Sequence, residues 1–514
     1  MKRIFISYRR ADGDVVKPLA ERLRALFNRD QIFLDVNQEG GVDYVAALDL
    51  ELNTCDVAIV VIGQDWLGTH GRTAGRRIDE ARDLVRLEVE TTLGRNVPVV
   101  PVLVHGATMP QDVPPEIAKL PRLHALEIRE SQFEPDLFRL VDRLVRILRS
   151  WQPVKISAGQ QGPEWNHFWY DMAWLTETEG WLCGAVSEGG GGGHVGEGIL
   201  LTTRDAGVTW RQAANIASGA GQFSWGPQGT RQYRWTEVGP ITSFMMHRRQ
   251  TGDEDRTTGV MATATGVYMA AAPAGRFDHE TEWRRSTPPP DHPERYAFLR
   301  RLAAIENGTE IYAVGWQGIA HWTERGGRWE LQKPTYFYNV AAVAAVGGSE
   351  NRSVWAVGRA GEDEKGNRGD RSHGAVYHLA WPANRWEQVP LPGIELEEAQ
   401  TLLDLWVRDP NTVFAVGEQG LILRGVRERS REWTWSRLPA PTDQPLTAIA
   451  PSPFGLWILG GGGTILNSLD QGEHWTQLPP VSGADGTGAG WGGVRFFGPA
   501  GWIVGNGIVL RSQW

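Results

Sequence analysis

The fold of the first third of the chain is decided by residues 4–10, which read Ile4-Phe5-Ile6-Ser7-Tyr8-Arg9-Arg10. Three apolar residues followed by a polar, basic stretch predict a buried strand that ends at an exposed edge. Helical spacing follows at once, because Val16, Leu19, Leu23 and Leu26 recur at intervals of three and four. A strand that passes directly into an amphipathic helix predicts an α/β domain.

The same alternation continues as far as residue 150. Apolar runs predict further strands at residues 32–34, 57–62, 97–104 and 123–128, and helical spacing predicts helices over 15–27, 44–52, 80–93 and 138–148. Strands that are apolar throughout, rather than at every second residue, are typical of a parallel sheet covered by helices on both faces. We therefore expect residues 1–150 to form a five-stranded parallel sheet with helices.

Beyond a polar linker at residues 151–163, a repeat appears and continues to residue 514. Each copy has an apolar stretch that ends in Gly, then a Gly-led apolar strand, then in most copies a Trp. Seven copies are present, beginning near Trp181, Val260, Ile311, Val354, Val413, Leu456 and Trp502. Their spacing fits four-stranded blades around an axis, so we expect an all-β, seven-bladed propeller in residues 164–514. The last copy lacks an outer strand, which we expect residues 151–157 to supply.

Two copies end in the Asp-box pattern Ser/Thr-x-Asp-x-Gly-x-x-Trp, at residues 203–210 and 468–475. We expect the Asp to cap a hairpin turn, the Gly to take a positive φ, and the Trp to pack over the turn. With these repeats, the second part of the chain resembles the sialidase-like and photosystem-assembly-factor-like propellers. Because Asp-boxes lie away from a sialidase centre, they predict blades rather than a glycosidase.

Composition narrows the setting in which the protein acts. The chain carries a net charge of −9 and a pI near 5.8, which argues against nucleic acid as a partner. Its two cysteines, Cys55 and Cys183, exclude a disulfide framework and favour a reducing, cytoplasmic compartment. The apolar runs are too short for a membrane helix, and the histidines lack metal-ligand spacing. We expect no membrane association, no metal and no prosthetic group.

Four segments carry a resemblance to a known family, and they occur in the expected order: Phe5–Arg10, Phe33–Val36 with a Gly-containing loop to Tyr44, Cys55–Val57, and Asp83–Glu88. Over residues 3–148 the chain resembles the TIR superfamily. Its sequence pattern is most similar to that of bacterial TIR proteins and of the animal axon-degeneration NADase. The resemblance implies a flavodoxin-like TIR domain that cleaves the nicotinamide–ribose bond of NAD+, which is then the substrate rather than a cofactor.

The candidate site lies at the carboxyl ends of the predicted strands, where sheets of this kind bind ligands. That edge gathers Arg9, Arg10, Asp35 and Trp66. By resemblance, Glu88 corresponds to the family's catalytic glutamate, and Tyr44 to the aromatic residue that stacks beside the nicotinamide. We therefore predict Glu88 as catalytic, and as substrate-binding residues Ser7, Tyr8, Arg9, Arg10, Asp35, Tyr44 and Trp66, with Arg9 or Arg10 meeting the pyrophosphate.

Two positions keep alternatives open at this site. Glu90 is a rival for Glu88, but residues two apart on a helix lie about 200° apart, so both cannot face one cleft. The family often has Trp four residues before the glutamate, where this chain has Leu84, and Trp66 is a candidate substitute.

Two hypotheses for function follow. In the first, the protein is an NAD+-cleaving effector that forms ADP-ribose or its cyclised form, in bacterial anti-phage or stress defence. TIR self-association would switch it on, and the propeller would sense an unknown trigger. In the second, the TIR domain is a non-catalytic adaptor that acts by TIR–TIR association, with the propeller as a protein-binding platform.

Overall fold

The structure is a computed structural model of the 514-residue chain. It describes residues 3–27, 31–34, 52, 54–68, 75–148, 151–157, 165–188, 196–213, 221–225, 231–235, 238–251, 254–273, 276–278, 281–287, 299–305, 308–315, 318–332, 337–348, 352–360, 374–380, 385–397, 400–427, 432–452, 455–479, 481, 490–497 and 500–512. The chain divides into two compact units, of which the first comprises residues 1–150 with 512–514 and the second residues 151–511. No helix within the described ranges is long and apolar enough to cross a membrane.

The first unit is built on a five-stranded parallel sheet, as predicted. Its strands are β1 (Ile4–Ser7), β2 (Ile32–Leu34), β3 (Val57–Ile62), β4 (Val99–Val104) and β5 (Leu126–Ile128), arranged in the order β2-β1-β3-β4-β5. Its helices are α1 (Gly13–Phe27), α2 (Leu84–Gly94) and α3 (Phe133–Leu148). Because β3 lies at the centre of the sheet, all six of its residues are buried. This burial explains why the strand is apolar throughout.

Helix α2 packs on one face of this sheet and carries the candidate catalytic residue. Val85 and Val89 of α2 pack against Val60 and Ile62 of β3, and each of these side chains is at most 5% exposed. Burial of a side chain of this size contributes about 1.5–3 kcal/mol, so this face anchors the helix firmly.

The predicted starts of all three described helices differ from the structure, and α1 begins at Gly13 rather than residue 15. Helix α2 begins at Leu84 rather than residue 80, because the Asp83 carboxylate accepts a hydrogen bond from the Arg86 backbone N–H at 3.0 Å and so caps the helix there. Helix α3 begins at Phe133, five residues before the predicted start at 138. The predicted helix at 44–52 lies outside the described residues except for Leu52, and it stays a prediction.

The second unit consists of seven four-stranded antiparallel sheets in succession, which confirms the predicted propeller. Strand β6 (Gln152–Pro153) precedes blade 1, and a separate hairpin of β11 (Gly221–Trp225) and β12 (Arg231–Trp235) lies between blades 1 and 2. Blades 1 to 3 contain, in order, β7 (Trp165–Trp174), β8 (Gly180–Glu188), β9 (Glu197–Thr203) and β10 (Arg211–Gln212); β13 (Ile241–Thr251), β14 (Glu254–Thr263), β15 (Gly266–Pro273) and β16 (Arg284–Arg285); and β17 (Leu299–Ile305), β18 (Glu310–Gly315), β19 (Gly318–Thr323) and β20 (Trp329–Gln332).

Blades 4 to 6 contain β21 (Phe337–Val346), β22 (Ser353–Ala360), β23 (Gly374–Ala380) and β24 (Arg385–Gln388); β25 (Leu402–Asp409), β26 (Thr412–Gly417), β27 (Ile422–Arg427) and β28 (Trp433–Leu438); and β29 (Leu446–Ser452), β30 (Gly455–Gly460), β31 (Ile465–Ser468) and β32 (Thr476–Gln477). Blade 7 contains β33 (Trp491–Phe497), β34 (Ala500–Gly505) and β35 (Ile508–Ser512).

The outer strand of blade 7 comes from the other end of the propeller sequence. Strand β6 pairs antiparallel with β35, with Pro153 opposite Leu510 and Gln152 opposite Arg511. Trp151, just before β6, is buried against Trp457 of blade 6 and Phe496 of blade 7. The ring is therefore closed by a strand and an aromatic anchor that precede blade 1 in sequence.

The glycine that ends the apolar stretch of the repeat has a steric cause. A Cβ at Gly184, Gly358 or Gly417 would collide with a backbone carbonyl oxygen at the start of the innermost strand of the same blade, that of Phe168, Asn339 or Thr401 respectively. Only glycine permits this close approach of two strands. The glycine therefore recurs in the repeat because the two strands pack too closely in these blades to leave room for a Cβ.

The innermost strand of every blade has a β-bulge at the corresponding place, and those of blades 4 and 5 have a second register shift elsewhere. The register shifts between Trp169 and Asp171, Ile241 and Ser243, Leu299 and Arg301, Val340 and Ala342, Leu402 and Asp404, Leu446 and Ala448, and Trp491 and Gly493. The first strands of successive blades neighbour one another around the ring, including blade 7 against blade 1. Bulges re-aim the side chains that follow them, here around the axis.

A charged cluster joins the innermost strands of blades 1, 3, 5 and 7. Arg301 of blade 3 donates from Nη2 to the carbonyl oxygen of Gly492 in blade 7 at 3.2 Å, and its guanidinium lies 3.8 Å from Asp171 and 4.0 Å from Asp404. Arg495 of blade 7 pairs with Asp171 at 2.7 Å. Burial disfavours the charge on Arg301, but the two carboxylates outweigh it and raise the pKa of this side chain.

In both Asp-box turns the Asp caps the turn, as predicted: Asp205 Oδ1 accepts the Thr209 N–H at 2.8 Å, and Asp470 Oδ1 accepts the His474 N–H at 2.9 Å. Gly207 donates its N–H to Thr203 Oγ1 at 3.0 Å, and Gly472 donates to Ser468 Oγ at 2.7 Å. Both glycines have positive φ, of 78° and 93°. In the second box Trp475 lies beside Gly472, as expected, whereas in the first box the ring over Gly207 is Trp502 of blade 7. The first turn therefore also packs against the neighbouring blade.

Two partly buried histidines in the propeller are expected to lower its stability in acid. Burial lowers the pKa of His247 to about 4, and burial together with the charge of Arg427 lowers the pKa of His378 to about 4. The unfolded chain takes up these protons near pH 6.5 and the folded chain only near pH 4, so stability is full above pH 6.5 and falls between these values. We expect a loss of up to about 3 kcal/mol per histidine, measured by urea unfolding at a series of pH values.

A matched pair of variants checks this expectation. H378Q is expected to flatten the fall of stability between pH 6.5 and 4, whereas H124Q, at an exposed histidine, is expected to leave it unchanged. Equal pH profiles for the wild type and H378Q would show that His378 does not contribute.

Candidate functional site

The candidate catalytic glutamate is buried at the carboxyl end of β1. Glu88 lies on α2 and is 1% exposed. The hydroxyl of Ser7, the last residue of β1, donates to Glu88 Oε2 at 2.5 Å. Thr92, one turn later, donates its hydroxyl to the Glu88 backbone carbonyl at 2.6 Å. The sheet and the helix together therefore hold this carboxylate.

Glu90 occupies a different environment from Glu88. Its side chain is 41% exposed and lies 3.8 Å from the guanidinium of Arg86, one turn earlier on the same helix. The two glutamates point away from each other, as their spacing on a helix requires. Only Glu88 lies at the edge of the sheet with Ser7.

Arg9 is bound within the domain and fixes the start of α2. Its Nη1 pairs with Asp83 Oδ2 at 2.6 Å, and its Nε donates to the backbone carbonyl of Trp66 at 2.8 Å. The side chains of Arg9 and Asp83 are 7% and 1% exposed. Asp83 thus caps α2 with one oxygen and binds the end of β1 with the other. This pair holds the helix of Glu88 against the strand of Ser7.

The sequence-based interpretation did not identify Asp83 as part of this arrangement. An Asp directly before an apolar helical stretch is an N-cap signal, and that signal was present. Its partnership with Arg9 had no local signal, because the two residues are 74 positions apart.

Asp12 is a second residue that sequence reasoning missed. It is 4% exposed, and burial raises the pKa of its carboxyl group. A Cβ at Gly63, directly after β3, would collide with this carboxylate, which explains the glycine there. Beyond β4, His105 has a positive φ of 55° and lies 3.3 Å from Asp14.

Several buried polar atoms converge at the ends of β1 and β3. Among the described residues, Arg9 Nη2, Asp12 Oδ2 and Trp66 Nε1 have no hydrogen-bond partner. Buried polar atoms are normally paired, so unpaired ones mark positions that call for an explanation. Because these three atoms lie together at the carboxyl edge of the sheet, this edge is the candidate ligand-binding region of the domain.

The remaining predicted residues are placed as follows. Trp66 is 1% exposed and packs in the core beside α2, Tyr8 is half-buried, and Arg10 is exposed. Asp35 and Tyr44 lie outside the described residues. Leu84, at the position where the family often has Trp, is 41% exposed. The structure thus brings together Ser7 with Glu88 and Arg9 with Trp66.

Across the described part of the chain, no group of three or more His, Cys, Asp or Glu is arranged to hold a metal ion.

Known proteins resemble the two parts of the chain separately. Residues 4–141 match the family model of the TIR domain. The photosystem II assembly protein Ycf48 of Synechococcus sp. (strain JA-3-3Ab) is 28% identical over 145 residues, which cover 27% of this chain and 41% of that protein. The chain therefore spans about two-fifths of the length of this curated relative.

Three solved structures are each similar to 71% of the chain. A structure of YCF48 bound to D1 peptide has a TM-score of 0.45 and 18% identity, and the match covers 71% of this chain and 95% of that one. YCF48 from Cyanidioschyzon merolae has a TM-score of 0.43 and 15% identity, with 71% and 98% covered. The WD40 β-propeller domain of Doa1 has a TM-score of 0.43 and 11% identity, with 71% and 97% covered.

Proposed function

Since the chain joins an N-terminal TIR domain to a seven-bladed propeller, we propose that it is an NAD+ glycohydrolase controlled by its propeller. The observation that carries the proposal is the buried Glu88 carboxylate, hydrogen-bonded to Ser7 at the carboxyl edge of the sheet. Glutamate at this position is the residue that NAD-cleaving TIR domains use. NAD+ is the substrate, and its cleavage in this way requires no metal or prosthetic group.

The reaction breaks the bond between the nicotinamide nitrogen and C1′ of the ribose. The bonding electron pair leaves with nicotinamide, which becomes neutral, and positive charge develops on the ribose ring as an oxocarbenium ion. A nearby carboxylate such as Glu88 stabilises this charge. Water then attacks C1′ and releases a proton, which gives ADP-ribose. If an adenine nitrogen attacks instead, the product is cyclic ADP-ribose.

The edge around Arg9 supplies groups that suit a dinucleotide. Arg9 Nη2 and Trp66 Nε1 are buried donors without a partner among the described residues. A guanidinium donor such as Arg9 Nη2 suits a phosphate oxygen. Arg9 is already engaged by Asp83 through Nη1, so one guanidinium group both orders α2 and offers a further donor. Arg10, which is exposed, is a second candidate for the pyrophosphate.

The propeller is proposed as the input of the protein. A closed ring gives a rigid surface for a protein or small-molecule trigger, and clustering of TIR domains would complete the site across neighbouring copies. Such a protein would act in the cytoplasm in bacterial anti-phage or stress defence, where depletion of NAD+ or a cyclised product is the output.

The test is an assay of nicotinamide release from NAD+. The full-length chain is assayed alone and after clustering by a bivalent antibody to a terminal tag, with nicotinamide quantified by chromatography. We expect release on clustering, and a loss of about 100-fold or more in E88Q, because one preorganised electrostatic group is removed. E90Q is the matched control, on the same helix but exposed, and is expected to retain activity.

One observation favours the adaptor as a second candidate. Leu84 is exposed at the position where the family often has Trp, and Phe138 on α3 is 46% exposed. Exposed apolar side chains suit TIR–TIR association without catalysis. Absence of nicotinamide release under every clustering condition, with association of the chain still observed, would favour the adaptor and contradict the enzyme.

A further inference from the structure

We infer that Ser7 is a positioning residue that keeps the Glu88 carboxylate ionised and correctly oriented. The hydrogen bond between Ser7 and Glu88 is a property of the fold. Its role in catalysis rests on the proposed function. The Ser7 hydroxyl donates to Glu88 Oε2 at 2.5 Å, and both residues are 1% exposed.

The backbone of Ser7 is fixed. As the last residue of β1, it pairs with Val60 of the central strand β3. On the other side of the hydrogen bond, α2 is held by the Asp83 cap, by the Arg9–Asp83 pair and by its apolar packing on the sheet. Both partners therefore belong to rigid elements, as precise positioning requires.

Charge is the first consequence of the contact. Burial disfavours an ionised carboxylate, whereas a hydrogen bond donated to the charged form favours it. A positive charge that develops on the ribose is stabilised only if the carboxylate is ionised. The Ser7 hydroxyl is a neutral donor, so it supports the anion without neutralising the field that the reaction needs.

The cations around α2 are engaged elsewhere. Arg9 and Arg77 face Asp83, at 2.6 and 3.7 Å. Arg86 pairs with Glu116 of a neighbouring short turn at 2.9 Å and with Glu90 at 3.8 Å. Asp79, in the turn before α2, pairs with Arg76. These cations pair with other carboxylates, whereas the Ser7 hydroxyl donates directly to the Glu88 carboxylate.

Orientation is the second consequence. When Ser7 holds Oε2, the plane of the carboxylate is fixed, and so is the direction of its other oxygen. A catalytic group that is displaced or free to rotate loses much of its effect on the transition state. Removal of the hydroxyl should therefore lower kcat more than it raises KM.

The test has one readout that does not depend on NAD+ cleavage. Glu88 is followed by carbon-13 NMR of carboxyl-labelled glutamate in the full-length protein, with E88Q assigning the signal. In S7A we expect Glu88 to titrate at higher pH by about one unit, while S131A, at an exposed serine, leaves the titration unchanged. S7T keeps the hydroxyl and should restore the wild-type titration. S7C, close in size but a weak donor, replaces S7A if that variant does not fold.

Kinetics provide the second readout. In S7A we expect kcat to fall about 10–100-fold with KM changed less than threefold, and the acid limb of the pH profile to move upward. An unchanged Glu88 titration in both S7A and S7C would overturn the inference. A shifted titration in a protein that releases no nicotinamide would instead contradict the proposed function and leave the role of Ser7 in the fold intact.

Discussion

Replacement of Asp83 by alanine is expected to destabilise the TIR domain by about 3–5 kcal/mol. Asp83 is buried, pairs with Arg9 at 2.6 Å, and caps α2 through Arg86 N–H. In D83A the Arg9 guanidinium stays buried without its counter-ion, and the helix loses its first hydrogen-bond acceptor. Loss of the cap alone costs about 1 kcal/mol, so most of the expected destabilisation comes from the buried Arg9 guanidinium that has lost its counter-ion.

Substitutions at Asp83 and Arg9 separate these two contributions. D83N keeps an acceptor for the cap and removes the charge, and so it is expected to lie between the wild type and D83A. In the double variant R9M/D83L the abandoned charge is gone, and the loss should be smaller than in D83A. Hydrogen–deuterium exchange of α2 peptides in the full-length protein, with chemical unfolding followed by circular dichroism at 222 nm, measures the effect.

The matched control for D83A is D79A. Asp79 also pairs with an arginine, but its side chain is 46% exposed, so its removal should cost less than about 1 kcal/mol. If D83A and D79A lose similar stability, the buried Arg9–Asp83 pair does not anchor α2.

The second large effect is expected at the propeller axis, where D171A should cost about 3–5 kcal/mol. Asp171 of blade 1 accepts from Ser243 Oγ at 3.0 Å and from the Phe244 N–H at 3.3 Å, both in blade 2. It also faces Arg301 of blade 3 and Arg495 of blade 7. Its loss leaves two cations and two donors without this partner and loosens four blades at once.

Unfolding in urea followed by tryptophan fluorescence reports on the propeller and measures this loss. D255A is the control, because Asp255 also pairs with an arginine, Arg248, but is 40% exposed near the tip of a hairpin. We expect D255A to change stability by less than about 1 kcal/mol. A D171A protein as stable as D255A would show that the axial cluster is dispensable.

Much of this architecture could be predicted from the sequence because local patterns encode it. Apolar runs, helical spacing and a glycine-terminated repeat each reflect a packing requirement that neighbouring residues satisfy together. Gly358 is an example, since its missing Cβ accommodates the Asn339 carbonyl within the same blade. The Asp-box turns are another, because the hydrogen bonds that cap them link residues only four positions apart.

The contacts that hold the candidate site and the axis could not be predicted in this way. Ser7 meets Glu88 across 81 positions, and Arg301 meets Gly492 across 191. No periodicity links such residues, and only the folded topology brings them together. The family resemblance pointed to Glu88, and Arg9 or Arg10 was predicted to meet the pyrophosphate, whereas the structure shows Arg9 bound to Asp83.

The strand that closes the ring has a consequence for biosynthesis. Residues 152 and 153 leave the ribosome directly after the TIR domain, but their partners, residues 510 and 511, are translated more than 350 residues later. Blade 7 cannot be completed until residues 510 and 511 have been made, whereas the TIR domain can fold as soon as it emerges. Translation that stops before residue 510 is therefore expected to yield a folded TIR domain followed by an unclosed ring, a product that quality-control proteases would have to remove.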